Sequence, residues 1–141
     1  MIAISIKRAL VPLCAPLLAL GVSACASTAS SSGFKGEQQA VAQTVAKLQS
    51  EATADEAQKI CANLLASALK ARLNGARGGC TQALKSQLVE IDNPELTIES
   101  VALHGATSAT ATVKSIHSGK SRVGTLALVK EAGKWKIAVQ G

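Results

Sequence analysis

Four cysteines are the side chains of this 141-residue chain with the widest choice of chemistry: Cys14, Cys25, Cys61 and Cys80. A thiolate can accept a lipid, ligate a metal or exchange with a second thiol to form a disulfide. Cys61 and Cys80 have neither C-x-x-C spacing nor a histidine close to them in the sequence, which disfavours a reactive or metal-binding pair. The compartment in which the chain folds therefore decides what its thiols do.

The first residues have the pattern of an export signal. Lys7 and Arg8 precede a short apolar run from Ala9 to Leu20, and small residues follow that run. A basic segment, a short apolar segment and a small-residue cleavage site are typical of a cleaved signal. A membrane span needs about 20 apolar residues, so this run is too short for a comfortable transmembrane helix.

One cysteine stands directly after that apolar run. The sequence Val22-Ser23-Ala24-Cys25 resembles the bacterial lipobox, in which an aliphatic residue and two small residues precede a cysteine. The resemblance implies that the Cys25 sulfur carries a diacylglyceryl group and that residues 1–24 are removed as a lipoprotein signal peptide. Two acyl chains on one residue give stable anchoring, whereas a single chain binds a membrane only marginally.

Residues 25–36 follow the expected cleavage site, and Ala26 to Gly33 is a run of Ala, Ser, Thr and Gly. This composition is typical of a flexible tether, as a lipid-anchored domain requires. The alternative is ordinary cleavage after Ala26, because Ala24-Cys25-Ala26 also fits the A-x-A pattern.

Both modes of cleavage leave Cys61 and Cys80 as the two available thiols, since Cys14 leaves with the signal. Outside the cytoplasm two thiols usually pair, and we therefore expect a Cys61–Cys80 disulfide. The bridge closes a loop of 20 residues. By restricting the unfolded chain it would stabilise the domain by about 3 kcal/mol.

Charge and composition exclude several classes of function. Removing Lys7 and Arg8 with the signal lowers the number of basic residues from 15 to 13, against 9 acidic residues. This mild surplus is too small for a nucleic-acid-binding surface, although it is compatible with weak attraction to an anionic membrane. With no Tyr, one Phe, one Trp and two His, a site built from histidines or stacked aromatic rings is disfavoured.

The first half of the remaining chain has helical periodicity. Val41, Val45, Leu48 and Ala52 form one apolar stripe, which predicts a helix over residues 37–52. Thr53 and Glu56 fit a capping box and predict a second helix that runs to residue 73. Its inward residues are expected to be Ala57, Ile60, Cys61, Leu64, Leu65 and Ala68. A third helix is expected over residues 81–90, after a sharp turn at Gly78-Gly79.

The second half has strand periodicity, with apolar residues at every second position. We expect strands at residues 96–103, 108–116, 122–130 and 134–140, and the alternation slips near Ser100, which indicates a β-bulge. Helices followed by a meander of strands predict a single α+β domain over residues 37–141, with the helices on one face of a four-stranded antiparallel sheet.

A resemblance to a known family rests on three of these features. The lipobox, the cysteine pair in a helical half and the hairpin Leu-Val-Lys-Glu-Ala-Gly-Lys-Trp-Lys-Ile at residues 128–137 resemble the small bacterial lipoproteins with a nuclear-transport-factor-2-like, or cystatin-like, fold. The resemblance implies a cone: a curved sheet wrapped against a long helix, with a pocket between them. Trp135, Leu64 and Leu128 are then candidates for the pocket or the core, and flanking lysines favour the core for Trp135.

The candidate acids and bases are few. His104 lies in the turn after the first expected strand, and His117 ends the second. Either could act as a general base or ligand, but their spacing matches no zinc-binding motif, and we expect both to be solvated. Glu131 belongs to the last hairpin turn and should be exposed, while Glu99 should point away from the buried face. Enzymes of the resembled family usually carry an Asp, His or Tyr inside the pocket. The sequence therefore predicts no enzyme, no metal and no cofactor.

Lys130, Lys134 and Lys136 form a basic cluster that either blocks pairing at the sheet edge or contacts anionic lipid or cell-wall polymer. Together these features predict an extracytoplasmic domain on the cell membrane, held by a lipid at Cys25, that binds a protein or small apolar ligand and no nucleic acid. Two alternatives remain: a small pocket hydrolase or isomerase using Glu99 or a histidine as base, and a structural or dimerising module.

Overall fold

The computed structural model describes residues 30–89 and 95–138. Residues 1–29, on which the predicted signal peptide, Cys25 and the first part of the predicted tether fall, lie outside the described residues. The helical half contains α1 (Gly36–Thr53), α2 (Ala57–Lys59) followed directly by a π-helical turn (Ile60–Leu64), α3 (Ser67–Asn74) and α4 (Gly79–Val89). The strands are β1 (Glu95–Leu103), β2 (Ser108–His117), β3 (Lys120–Glu131) and β4 (Lys134–Ala138).

The four strands form one antiparallel sheet in the order β1-β2-β3-β4. The predicted α+β class, with helices first and a meander after them, is confirmed. The predicted strands end at residue 116 and begin again at residue 122. In the structure, pairing of β2 with β3 continues to His117 and Lys120, so this hairpin is longer than predicted. The register of β1 against β2 shifts between Ile98 and Ser100, which confirms the predicted bulge and leaves Glu99 as its extra residue.

Helix α1 packs on the inner face of the sheet and contacts β1, β2 and β4. Val41 and Val45 are fully buried, and Leu128 of β3 is fully buried on the facing side. Leu48 and Ala52 lie half-buried against the same cluster, as the predicted apolar stripe requires. Phe34, which falls within the expected tether, also packs against this cluster, so the packed part of the chain begins before α1.

The prediction of one continuous second helix is wrong. After the π-helical turn, Leu65 takes an extended conformation and forms a parallel bridge with Ile137 of β4. The Ala66 N–H donates to the Ile137 carbonyl oxygen at 2.7 Å. Because the free edge of β4 binds this segment, the helical phase changes: Ala66 is buried, whereas Ala68, expected to face inward, is exposed.

The predicted capping box is also wrong. Thr53 ends α1 and its hydroxyl donates to the Gln49 carbonyl oxygen at 2.9 Å, while Glu56 pairs with Lys59. Helix α1 ends in a Schellman motif. The Glu56 N–H donates to the Glu51 carbonyl oxygen, and the Asp55 N–H donates to the Ala52 carbonyl oxygen. Asp55 has a φ of +55°. Asp tolerates this left-handed conformation better than most residues.

A disulfide joins the π-helical turn to α4. The Sγ atoms of Cys61 and Cys80 lie 2.05 Å apart, and both residues are buried in the core cluster. Gly78 and Gly79 have φ values of +84° and +76°, which confirms the predicted sharp turn before Cys80. The Asn74 side-chain oxygen accepts a hydrogen bond from the Cys80 N–H at 3.2 Å and fixes the turn against the end of α3.

Candidate functional site

An open groove of about 390 Å³ lies between α1 and β4. Its walls come from three places: one face of α1, the end of the π-helical turn, and the β3–β4 turn together with β4. The lining residues are Ala40, Gln43, Thr44, Lys47, Asn63, Leu64, Gly133, Lys134, Trp135 and Lys136. The volume falls at the lower end of the range that small-molecule sites in proteins occupy.

The space directly between α1 and the sheet is occupied by core side chains, so the groove opens beside the helix. Leu128, a candidate for pocket or core, is a core residue with no exposed surface. Leu64 and Trp135, at 4% and 6% exposure, belong to the core and also line the groove. These two side chains give the groove a small apolar patch.

A charged cluster, formed by Glu37, Lys130 and Trp135, holds the indole in place. The Trp135 Nε1–H donates to Glu37 Oε2 at 2.7 Å, and Lys130 Nζ donates to Glu37 Oε1 at 2.8 Å. Lys130 Nζ also lies 5.7 Å from the centre of the indole ring, within cation–π distance. Hydrogen bonds from Lys130 and then Trp135 lower the pKa of Glu37 below its ordinary value because they stabilise the carboxylate.

The basic cluster expected from the sequence is divided in the structure. Lys130 is paired with Glu37, whereas Lys134 and Lys136 line the groove. A third lysine, Lys47 of α1, lines the opposite wall, and sequence reasoning missed it. Its spacing from Ala40 and Thr44 does place it on one helical stripe beside the buried face, and this signal could have found it.

The groove has a positive balance of charge. Its lining includes three lysines and no carboxylate. The buried Glu51 carboxylate lies 3.7 Å from Lys47 Nζ, and Lys136 Nζ donates to the Asn63 carbonyl oxygen. Lys134 is exposed and forms no ion pair within the described part of the chain.

The described candidate acids and bases, His104, Glu99 and Glu131, do not line this groove. His104 Nε2 shares a hydrogen bond of 2.9 Å with the Thr110 hydroxyl, and Glu99 is exposed at the bulge. The side chain of His117 lies outside the described residues. The expectation that Glu131 is an exposed turn residue is wrong: it ends β3, is half-buried, and its carboxylate accepts hydrogen bonds from the N–H and hydroxyl of Ser67.

A second surface cavity lies beside the disulfide, between the π-helical turn, α3 and α4, and its only charged lining residue is Lys70. Over residues 30–89 and 95–138, no three His, Cys, Asp or Glu side chains come together as metal ligands would. In the same ranges no helix is long and apolar enough to span a bilayer.

The chain matches no protein-family model, no curated protein and no solved structure. Its function is therefore inferred from the chemistry of its own residues. The lysine-lined groove between α1 and β4 is the feature of the described residues that best suits a ligand, because it combines charge, amides and an apolar patch in one concave surface.

Proposed function

We propose that the protein is a lipid-anchored, extracytoplasmic domain that binds a ligand or protein partner in the groove between α1 and β4 without catalysing a reaction. The observation that carries this proposal is the composition of the groove. Lysines stand on both of its walls, side-chain amides lie between them, and Trp135 and Leu64 form its apolar patch.

The anchor rests on the lipobox resemblance at Cys25. The packed part of the chain begins near Phe34, only a few residues after that cysteine. A short connection of this kind would hold the domain close to the bilayer, since a flexible segment of n residues spans about 5–6 Å × √n. The proposal accordingly places the domain on the extracytoplasmic face of the cell membrane.

The positions of Glu131, Glu99 and His104 support a non-catalytic role. Glu131 is engaged as a helix cap, Glu99 is solvated, and His104 is bonded to a threonine hydroxyl at the surface. A general base needs to lie within hydrogen-bond reach of a bound substrate, and none of these three residues lines the groove.

We also propose that the α+β arrangement belongs to the cystatin-like class. One long helix packed across the face of an antiparallel meander supports this assignment, because α1 contacts β1, β2 and β4. That class implies a pocket between the long helix and the sheet. Here core side chains occupy that space, and the groove lies beside α1 instead.

A rescue experiment in cells that lack the protein tests the proposal. We expect Cys25→Ser and Gln43→Trp to fail to rescue, because the first removes the anchor and the second fills the groove. Ser50→Trp, on an exposed position of the same helix, should rescue fully. A variant with Glu99, His104 and His117 all changed to Ala should also rescue, and its failure while folded would instead indicate an enzyme.

A further inference from the structure

We propose that the groove binds an acidic peptide: a short, extended protein segment that carries carboxylates beside an apolar side chain. This inference rests on the proposed function, because it names the chemical class of the ligand for the same groove.

The lysines are placed to bind a ligand with more than one negative charge. Lys47 extends from α1, and Lys134 and Lys136 extend from the other wall. Of the carboxylates around the groove, Glu37 pairs with Lys130 and Glu131 with Ser67, so neither offsets a groove lysine. Glu51 lies 3.7 Å from Lys47 and offsets part of its charge, which leaves Lys134 and Lys136 as the lysines without a carboxylate partner in the described residues. Attraction between these lysines and ligand carboxylates would accelerate association and weaken as the salt concentration rises.

The uncharged lining favours a peptide over a phosphate-bearing ligand. Gln43 and Asn63 are exposed, and each side-chain amide both donates and accepts hydrogen bonds. A peptide backbone offers N–H and C=O groups that match both functions, whereas phosphate oxygens mainly accept. The small remaining exposed surface of Leu64 and Trp135 gives an aliphatic ligand side chain one apolar contact.

The shape of the groove disfavours a bilayer surface as its ligand. The groove is an open concave surface, lined by α1 on one side and by β4 with the β3–β4 turn on the other. A flat layer of headgroups does not follow a concave surface, whereas a single extended chain can lie along it. The membrane is therefore an alternative outcome of the test, not part of the proposal.

The single tryptophan of the chain makes binding directly measurable. We suggest titrating the full chain in detergent with acetyl-(Glu-Glu-Leu)₃-amide and following Trp135 fluorescence. Saturable changes that weaken with added salt are expected. The matched acetyl-(Gln-Gln-Leu)₃-amide should bind at least about tenfold more weakly, because it retains the backbone and leucines and lacks the charges.

Charge-reversal variants locate the site. Lys47→Glu and Lys134→Glu should each weaken binding about fivefold, and the double variant about 25-fold if the two positions act independently. Lys120→Glu is the matched control for Lys134→Glu, since both lysines are exposed, neither forms an ion pair in the described part of the chain, and the change of charge is the same. It should weaken binding less than twofold, and circular dichroism should show the same fold for all variants.

Three results would overturn the inference: equal affinity for the Gln peptide, equal loss of affinity in Lys120→Glu, or no saturable binding. Groove-dependent binding to phosphatidylglycerol vesicles in place of the peptide would assign the lysines to the membrane. If the peptide fails to bind while Gln43→Trp still abolishes rescue, only the ligand class is wrong. If Gln43→Trp rescues fully, the groove is not the site and the proposed function fails with it.

Discussion

Glu131 provides a sharp test of how the helical layer is held to the sheet. Helix α3 begins at Ser67, and its N-cap residue, Ala66, has no side chain that can cap it. The Glu131 carboxylate takes that role from β3: it lies 3.0 Å from the Ser67 N and 2.8 Å from the Ser67 hydroxyl. A negative charge there also interacts favourably with the helix dipole.

We expect Glu131→Ala to lower the free energy of unfolding by about 1 kcal/mol, the usual effect of losing an N-terminal cap at a partly exposed site. Glu131→Gln should lose less, because its amide oxygen still accepts one hydrogen bond. In combination with Ser67→Ala, the effect of Glu131→Ala should fall below the sum of the single effects, because the two residues share one interaction.

Urea unfolding followed by Trp135 fluorescence measures these differences. Glu99→Ala is the control, since it removes an exposed carboxylate from β1 and should change the free energy of unfolding by less than about 0.5 kcal/mol. If Glu131→Ala unfolds at the same urea concentration as the wild type, or if Glu99→Ala is equally destabilised, the capping role is refuted.

Three further predictions concern the charged cluster, the disulfide and the core. Glu37→Gln should lower the free energy of unfolding at neutral pH, because the carboxylate of Glu37 is stabilised in the folded state. This difference from wild type should disappear as the pH falls from the ordinary glutamate pKa through the lowered pKa of the folded state. A difference in unfolding free energy that persists in acid would contradict this prediction. Replacing both Cys61 and Cys80 by Ala should cost about 3 kcal/mol in urea unfolding, and reduction of the wild type should have a similar effect. Leu128→Ala should cost between about 2 and 5 kcal/mol, whereas Val123→Ala, at a 63% exposed position, should cost far less; similar costs would refute the burial of Leu128.

Local pattern was sufficient to predict much of the fold. The stripe through Val41 and Val45 predicts α1 because a helix with one buried face repeats apolar residues at its own period. The alternation in the second half predicts four strands for the same reason, and the slip near Ser100 locates the bulge.

The errors arise where distant parts of the chain meet. The break at Leu65 depends on Ile137, which offers its carbonyl oxygen at the free edge of β4 and outcompetes helix continuation. The cap on Ser67 likewise comes from Glu131. Neither partner is visible in the local sequence pattern, because both contacts exist only after β4 and the helical layer have come together.

The groove was only partly predictable. The sequence of the last hairpin makes Trp135 and its flanking lysines candidates, and the structure places Lys134 and Lys136 in the groove lining. Lys47 was missed because it lies on another element, and Lys130 was misassigned because its partner, Glu37, is far away in sequence. A site shared between α1 and β4 requires knowledge of their packing.

The most direct test of the account is the intact mass of the protein extracted from its native membrane, measured before and after reduction. We predict a chain that begins at Cys25, carries a diacylglyceryl group, and gains two hydrogens when the bond between Cys61 and Cys80 is reduced. A full-length chain recovered without lipid, with residues 1–24 still attached and every thiol free, would contradict the central claim.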